Sequence, residues 1–181
     1  MNFEETKLKG AFILEPKRFQ DNRGFLSVGF NKEEFDKRSL DSQISQCNIS
    51  YNLKKGTLRG MHYQKSPHEE VKIVICPKGA IFDVIIDLRP ESPTFCQWVG
   101  VELSEDNFKM IYIPKGFAHG FQTLKDDTVV YYHVSEYYHP ESACGVRWND
   151  KAFGIKWQIP VSEMSQRDLS HPDFQNRQPI T

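Results

Sequence analysis

Short runs in which apolar residues recur at alternate or successive positions follow one another along most of the chain, broken by clusters of Gly, Pro, Asn and Asp. A period near two, rather than 3.6, marks strands. Residues 8–14 and 24–30 read as the first two. The polar segment 16–23, ending in Asp21-Asn22-Arg23-Gly24, reads as the turn between them. Residues 31–40 break the pattern as one short helix, with Lys32, Glu33, Glu34 and Lys37 solvating one side while Phe35 and Leu40 anchor the other. Residues 45–51 alternate again and stop at Asn52-Leu53-Lys54-Lys55-Gly56. Two β-rich runs, 71–76 and 80–88, flank Pro77-Lys78-Gly79, and Asp83 and Asp87 predict that one face of the second is wet. Residues 95–103, followed by a polar turn at 104–107, and 109–113, closed by Pro114-Lys115-Gly116, add two more strands. Residues 117–124 and 128–134 enclose Lys125-Asp126-Asp127, a hairpin signal. From Tyr137 the pattern fades into an irregular tail with Pro140, Trp148-Asn149-Asp150 and Trp157 as anchors.

About nine or ten short strands with recurrent turn signals predict an all-β fold, a jelly-roll sandwich or barrel with short peripheral helices. No repeat, low-complexity stretch or linker divides the chain, so residues 1–181 read as a single domain.

Charge and composition narrow the function. The 23 basic residues nearly cancel the 24 acidic ones, so no global field favours a nucleic-acid or anionic-membrane partner. No apolar run approaches the roughly 20 residues of a membrane helix. The N-terminal MNFEETKLKG lacks the apolar centre of a signal peptide. Cys47, Cys76, Cys96 and Cys144 are widely spaced without a C-x-x-C pair, which predicts reduced thiols in a cytoplasmic protein.

The chemistry concentrates in TLRGMHYQKSPHEEVKIVICPKG, residues 57–79, where Arg59, His62 and Lys72 sit among Leu58, Met61, Tyr63, Val71 and Ile73. A cation drawn into a sheet loses hydration and must recover it from a partner or a bound anion, so these three read as the lining of a pocket. Strict alternation would place Arg59 and His62 on opposite faces; a bulge at Gly60 would turn both inward. A lone strand histidine can also be structural, and Lys72 can be an edge lysine reaching water. Tyr131, Tyr132, Tyr137 and Tyr138 form an aromatic cluster that either packs or offers a hydroxyl as a proton donor. Asp168 is a surface carboxylate or cap unless the tail folds back to hold His62. His62, His68, Glu69 and His119 invite comparison with metal-binding cupins, but position 64 is Gln and breaks their H-x-H pair, so neither a metal nor another cofactor is expected.

Several longer blocks then resemble one family. FQDNRGF (19–25), QCNIS (46–50), LRGMHYQ (58–64), DLRPESPTFCQW (87–98), IPKGFAHGF (113–121), Tyr137-Tyr138 and WND (148–150) are similar, in order, to the dTDP-4-dehydrorhamnose 3,5-epimerases. The likeness runs from about Glu15 to Asp168, and the family consists of cupin-fold enzymes of deoxysugar biosynthesis. It implies epimerisation at C3 and C5 of a nucleotide-linked 4-keto-6-deoxyhexose, with His62 as base, Asp168 orienting it, Lys72 beside the keto oxygen and Tyr132 as proton donor. It further implies that Arg23, Arg59, His119 and Tyr138 contact the nucleotide-sugar, with Gln46 and Asn48 as two more binding positions. Phe19 matches an aromatic supplied across a homodimer. Val28, Cys47 and Ala143 depart from the family pattern in the nucleotide-binding set, and Arg167 stands where a lysine is common. Three alternatives stay open: an epimerase of one position or of another NDP-sugar, a non-catalytic sugar-binding cupin, and a metal-dependent cupin oxygenase.

Overall fold

Most of the runs that alternate in sequence become strands because one face can be buried against a second sheet. The computed structural model describes residues 1–174. β1 (Asn2–Glu5) and β2 (Phe12–Glu15) pair antiparallel, with residues 8–11 in the turn rather than in a strand. The acid-rich NFEE of β1 carries too little apolar signal to stand out. β3 (Arg18–Asp21) and β4 (Gly24–Ser27) form a separate two-stranded ribbon. The expected turn is thus itself half strand, hidden because every residue of β3 is exposed. Helix α1 (Lys32–Asp36) starts at Asn31, whose side chain accepts from the Glu33 amide, an N-cap that satisfies one otherwise orphaned donor. Its anchor Phe35 is fully buried, a contribution of about 1.5–3 kcal/mol.

The remaining strands are β5 (Gln46–Asn52), β6 (Leu58–Gln64), β7 (Lys72–Lys78), β8 (Ala80–Asp87), β9 (Trp98–Ser104), β10 (Met110–Ile113), β11 (Phe117–Thr123), β12 (Thr128–Val134) and the short β13 (Ala143–Gly145). They assemble into a six-stranded sheet, β1-β2-β10-β7-β12-β5, and a five-stranded sheet, β13-β6-β11-β8-β9. The result is an all-β jelly-roll sandwich of the cupin type. Val74, Ile111 and Val130 from the first sheet meet Ile81, Leu103 and Phe121 from the second in the central core. No described helix is long and apolar enough to cross a membrane.

Two expectations fail at this level. β7 and β8 lie in different sheets, and so do β11 and β12, so Lys125-Asp126-Asp127 carries the chain across the sandwich instead of closing a hairpin. β8 also has no wet face, since all eight of its residues are buried. Its inner face keeps Asp83 and Asp87 by pairing them. Its outer face lies under the C-terminal segment, where Phe82, Val84 and Ile86 pack with Val146, Phe153 and Trp157. Asp87 accepts from Arg89, Ser92 and Thr94. Burial would raise its pKa, but those donors together hold it below the ordinary carboxylate value.

Candidate active site

The register of β6 against β11 shifts by one residue at Gly60. His62 faces His119 and Arg59 faces Phe121, so Gly120 alone stands opposite Gly60 and Met61. Gly60 adopts φ +142°, and a Cβ there would lie 2.6 Å from the Gly120 Cα, so only glycine fits both the dihedral and the approach. The extra residue sends Met61 into the outer apolar cluster and turns Arg59 and His62 toward one cavity.

That cavity lies between the inner faces at the open end of the sandwich. It consists of two adjoining lobes of about 270 and 360 Å³, and His62, Lys72 and Tyr132 line both. Lys72 and Tyr132 arrive from β7 and β12, neighbouring strands of the six-stranded sheet, while His62 comes from the opposite sheet. Tyr132 packs on the central core. Burial raises its pKa, the Glu70 carboxylate adds to that, and Arg59 opposes both. Lys72 is nearly buried and its Nζ lies 3.0 Å from Glu70 Oε1, so the partner that a desolvated ammonium requires is supplied two residues away.

Asp168 sits on α2 (Gln166–Leu169), a single turn capped by Ser165, whose hydroxyl accepts from the Asp168 amide. The turn folds back against β6. There Asp168 Oδ1 lies 2.7 Å from His62 Nε2, and its Oδ2 accepts from the Gly60 amide at 3.2 Å. Burial would raise the Asp168 pKa; the hydrogen bond and charge of His62, with the Gly60 and Ser165 donors, bring it below the ordinary value. A carboxylate accepts, so His62 donates to it through Nε2. His171 stands edge-on to His62 with ring centroids 5.7 Å apart. Its Nε2 is buried without a hydrogen-bond partner among the described residues, 3.8 Å from Asp168 Oδ1; burial, then the neighbouring His62, lower its pKa, and Asp168 opposes them.

The other expected residues divide into three groups. Gln46, Asn48 and Tyr138 line the first lobe with Ala143 and Arg167, and Arg167 donates to the Tyr138 hydroxyl at 3.3 Å. Arg59 and His119 line the second; Arg59 Nε donates to Asn52, and His119 Nε2 lies 2.8 Å from the buried Asp83. Phe19 and Arg23 lie outside both lobes, on the exposed β3–β4 ribbon, where Arg23 pairs with Asp21. Val28 is likewise exposed beyond the end of β4.

The histidines and acids first considered as metal ligands do not gather as a set of three, although His62 and His119 line the same lobe. His68 stacks on His139 at 3.5 Å with planes 10° apart, and His119 is engaged by Asp83. Two other groups bring ligand atoms close: His62, Asp168 and His171, and His68, His139 and Glu141. Imidazole lone pairs lie in the ring plane, so the parallel rings of the second group do not converge on one ion. The first is the hydrogen-bonded pair with its neighbour.

Three residues went unread as parts of the site: Glu70, Asp83 and His171. Glu70 alone carried a signal, an acid at the edge of a strand that holds a buried lysine. Asp83 lies 36 positions from its partner and His171 lies in a structureless tail, so neither had one.

Known proteins resemble the chain over most of its length. The sequence profile described as dTDP-4-dehydrorhamnose 3,5-epimerase matches residues 5–176. The chain is 44% identical over 158 residues to the dTDP-4-dehydrorhamnose 3,5-epimerase of Escherichia coli strain K12, covering 87% of this chain and 85% of that protein. A crystal structure of the Bacillus anthracis str. Ames enzyme of the same name, with TDP and PPi bound, superposes with a TM-score of 0.92 at 43% identity, covering 96% of this chain and 99% of the other. A dTDP-6-deoxy-D-glucose-3,5-epimerase from Legionella pneumophila Philadelphia 1, in complex with dTDP-4-keto-L-rhamnose, gives 0.88 at 36% identity, covering 96% and 98%.

Proposed function

Because the chain belongs to the dTDP-4-dehydrorhamnose 3,5-epimerase family, we propose that it converts dTDP-4-dehydro-6-deoxy-D-glucose to dTDP-4-dehydro-L-rhamnose by inverting C3 and C5. The observation that carries this reading is one cavity lined by an imidazole, an ammonium and a phenol from two facing sheets, with a carboxylate behind the imidazole.

The C4 ketone acidifies the hydrogens on C3 and C5, because the carbanion left behind delocalises onto oxygen as an enolate. Neutral His62, its tautomer set by Asp168, takes the proton; Asp168 steadies the imidazolium and does not itself take the proton. The Lys72 ammonium beside the oxygen favours the charged enolate over the ground-state ketone, which is the difference that accelerates a reaction. Tyr132, hanging from the opposite sheet, returns a proton to the other face of the ring. Arg59 and Arg167 suit the diphosphate because a planar guanidinium reaches two oxygens together.

Turnover in heavy water tests this. The product should carry deuterium at both C3 and C5, and Tyr132→Phe should retain exchange while losing correct inversion. His62→Ala with normal exchange overturns the assignment of the base, and deuterium at one carbon alone makes the protein a single-position epimerase.

The working unit is a homodimer. The outer face of the six-stranded sheet carries an apolar groove of about 410 Å³ lined by Ile49, Ile75, Val129 and Tyr131, and Ile49 is 74% exposed. Apolar patches rimmed by polar residues mark association surfaces. Phe19 and Arg23, unable to reach the cavity of their own chain, are placed on a ribbon free to reach a partner's. A cytoplasmic location fits the four free thiols.

A further inference from the structure

Glu70 has no part in the mechanism above, yet it lies inside the cavity. It lines the first lobe with His62, Lys72 and Tyr132, and its carboxylate is nearly as buried as the ammonium it contacts, 14% against 11% exposed. Two ions so far removed from water persist only as a pair, so neither position is free to vary without the other. Lysine has three donors on a flexible stem. One is spent on Glu70, which removes much of the stem's rotational freedom and leaves two for a substrate oxygen.

We propose that Glu70 is a positioning residue for the epimerisation: its carboxylate fixes the Lys72 ammonium at the cavity wall and sets the electrostatic field felt by the Tyr132 phenol. The inference rests on the functional reading above. A carboxylate beside a nascent enolate is electrostatically unfavourable, so Glu70 does not act by stabilising charge. It acts on the geometry of the Lys72 ammonium and on the protonation of the Tyr132 phenol, since a neighbouring negative charge holds the phenol's proton in place. Burial and Glu70 raise the phenol's pKa in the same direction, against Arg59. The other charged or titratable groups lining the two lobes are Arg59 and His62 on β6, His119 on β11, Glu136 beyond β12 and Arg167 on α2. Tyr51, Tyr63, Tyr138 and Cys144 complete the titratable lining. The Tyr63 hydroxyl is itself pushed up to about 12 by burial and by Cys144, so it stays protonated across the working range.

The test compares Glu70→Gln and Glu70→Asp in the full chain. In Glu70→Gln, the alkaline limb of kcat/KM for inversion should fall by about half a unit to one unit of pH, because loss of the negative charge eases deprotonation of Tyr132. Glu70→Asp should keep the limb in place whatever its rate. Phenolate absorbance, taken as the difference between the parent and Tyr132→Phe in each background, should move the same way, and it needs no turnover. Glu70→Ala, read by the same difference in phenolate absorbance, should shift the titration in the same direction and serves if Glu70→Gln does not fold. An unshifted limb together with an unshifted phenolate titration overturns the proposal. A parent that neither exchanges nor inverts the sugar overturns the functional reading, while the phenolate titration still decides the field exerted by Glu70.

Discussion

Asp168 is a carboxylate only 4% exposed, and it stays ionised because each of its oxygens accepts a hydrogen bond. Its folded pKa lies below the ordinary value near 3.9. The pairing therefore stabilises the fold fully above that value, and the stabilisation is lost as pH falls through the folded pKa. Asp168→Asn should then destabilise the protein at pH 7 in urea melts, with the gap to the parent narrowing near pH 3. A gap that does not change with pH would count against the ion pair. The same variant leaves the imidazole free to take the wrong tautomer, so deuterium exchange at C3 and C5 should fall by roughly 10²–10⁴-fold. Little of this was legible locally. Asp168 lies 106 positions from His62, and only the resemblance to a family joined them. Asp83 was read as wetting β8, because the buried partner that neutralises an acid is invisible in the acid's own run.

Among the elements, the strands that pack on the core were plain from their period. Residues 71–76 and 80–88 became β7 and β8 nearly at the expected bounds. β1 and β3 were not plain, being acidic or exposed and held by pairing rather than by burial. The signals at Pro77-Lys78-Gly79 and Lys125-Asp126-Asp127 marked reversals of the chain, yet both loops change sheets. Turn chemistry fixes where a strand stops, not which neighbour the next one chooses. The expected bulge at Gly60 gives this scale its prediction. Gly60→Ala forces a Cβ into the Gly120 backbone at a dihedral that alanine resists, with strain of about 1–3 kcal/mol. It should lower the thermal midpoint and cut deuterium exchange, since both Arg59 and His62 depend on the shift. Exchange at the parent rate would mean that the bulge does not aim them.

For the whole molecule, the jelly roll followed from strand number and turn spacing, whereas the division into six and five strands did not, because pairing order is a long-range property. The outer groove predicts that Ile49→Glu combined with Tyr131→Glu sediments as a monomer while the parent sediments as a dimer. Activity should fall with dissociation if Phe19 and Arg23 serve the neighbouring copy; a parent that is monomeric and fully active refutes the arrangement. A last consequence follows from where the reacting groups are mounted. The imidazole hangs from one sheet and the phenol from the other, so the interval between the proposed base and the proposed acid is a thickness, fixed by Val74, Ile111 and Val130 on one side and Ile81, Leu103 and Phe121 on the other. The greasy filling of the sandwich therefore works as a spacer gauge. On the proposed mechanism, residues that never meet the sugar would decide whether a hydrogen lifted from one side of its ring is replaced from the other.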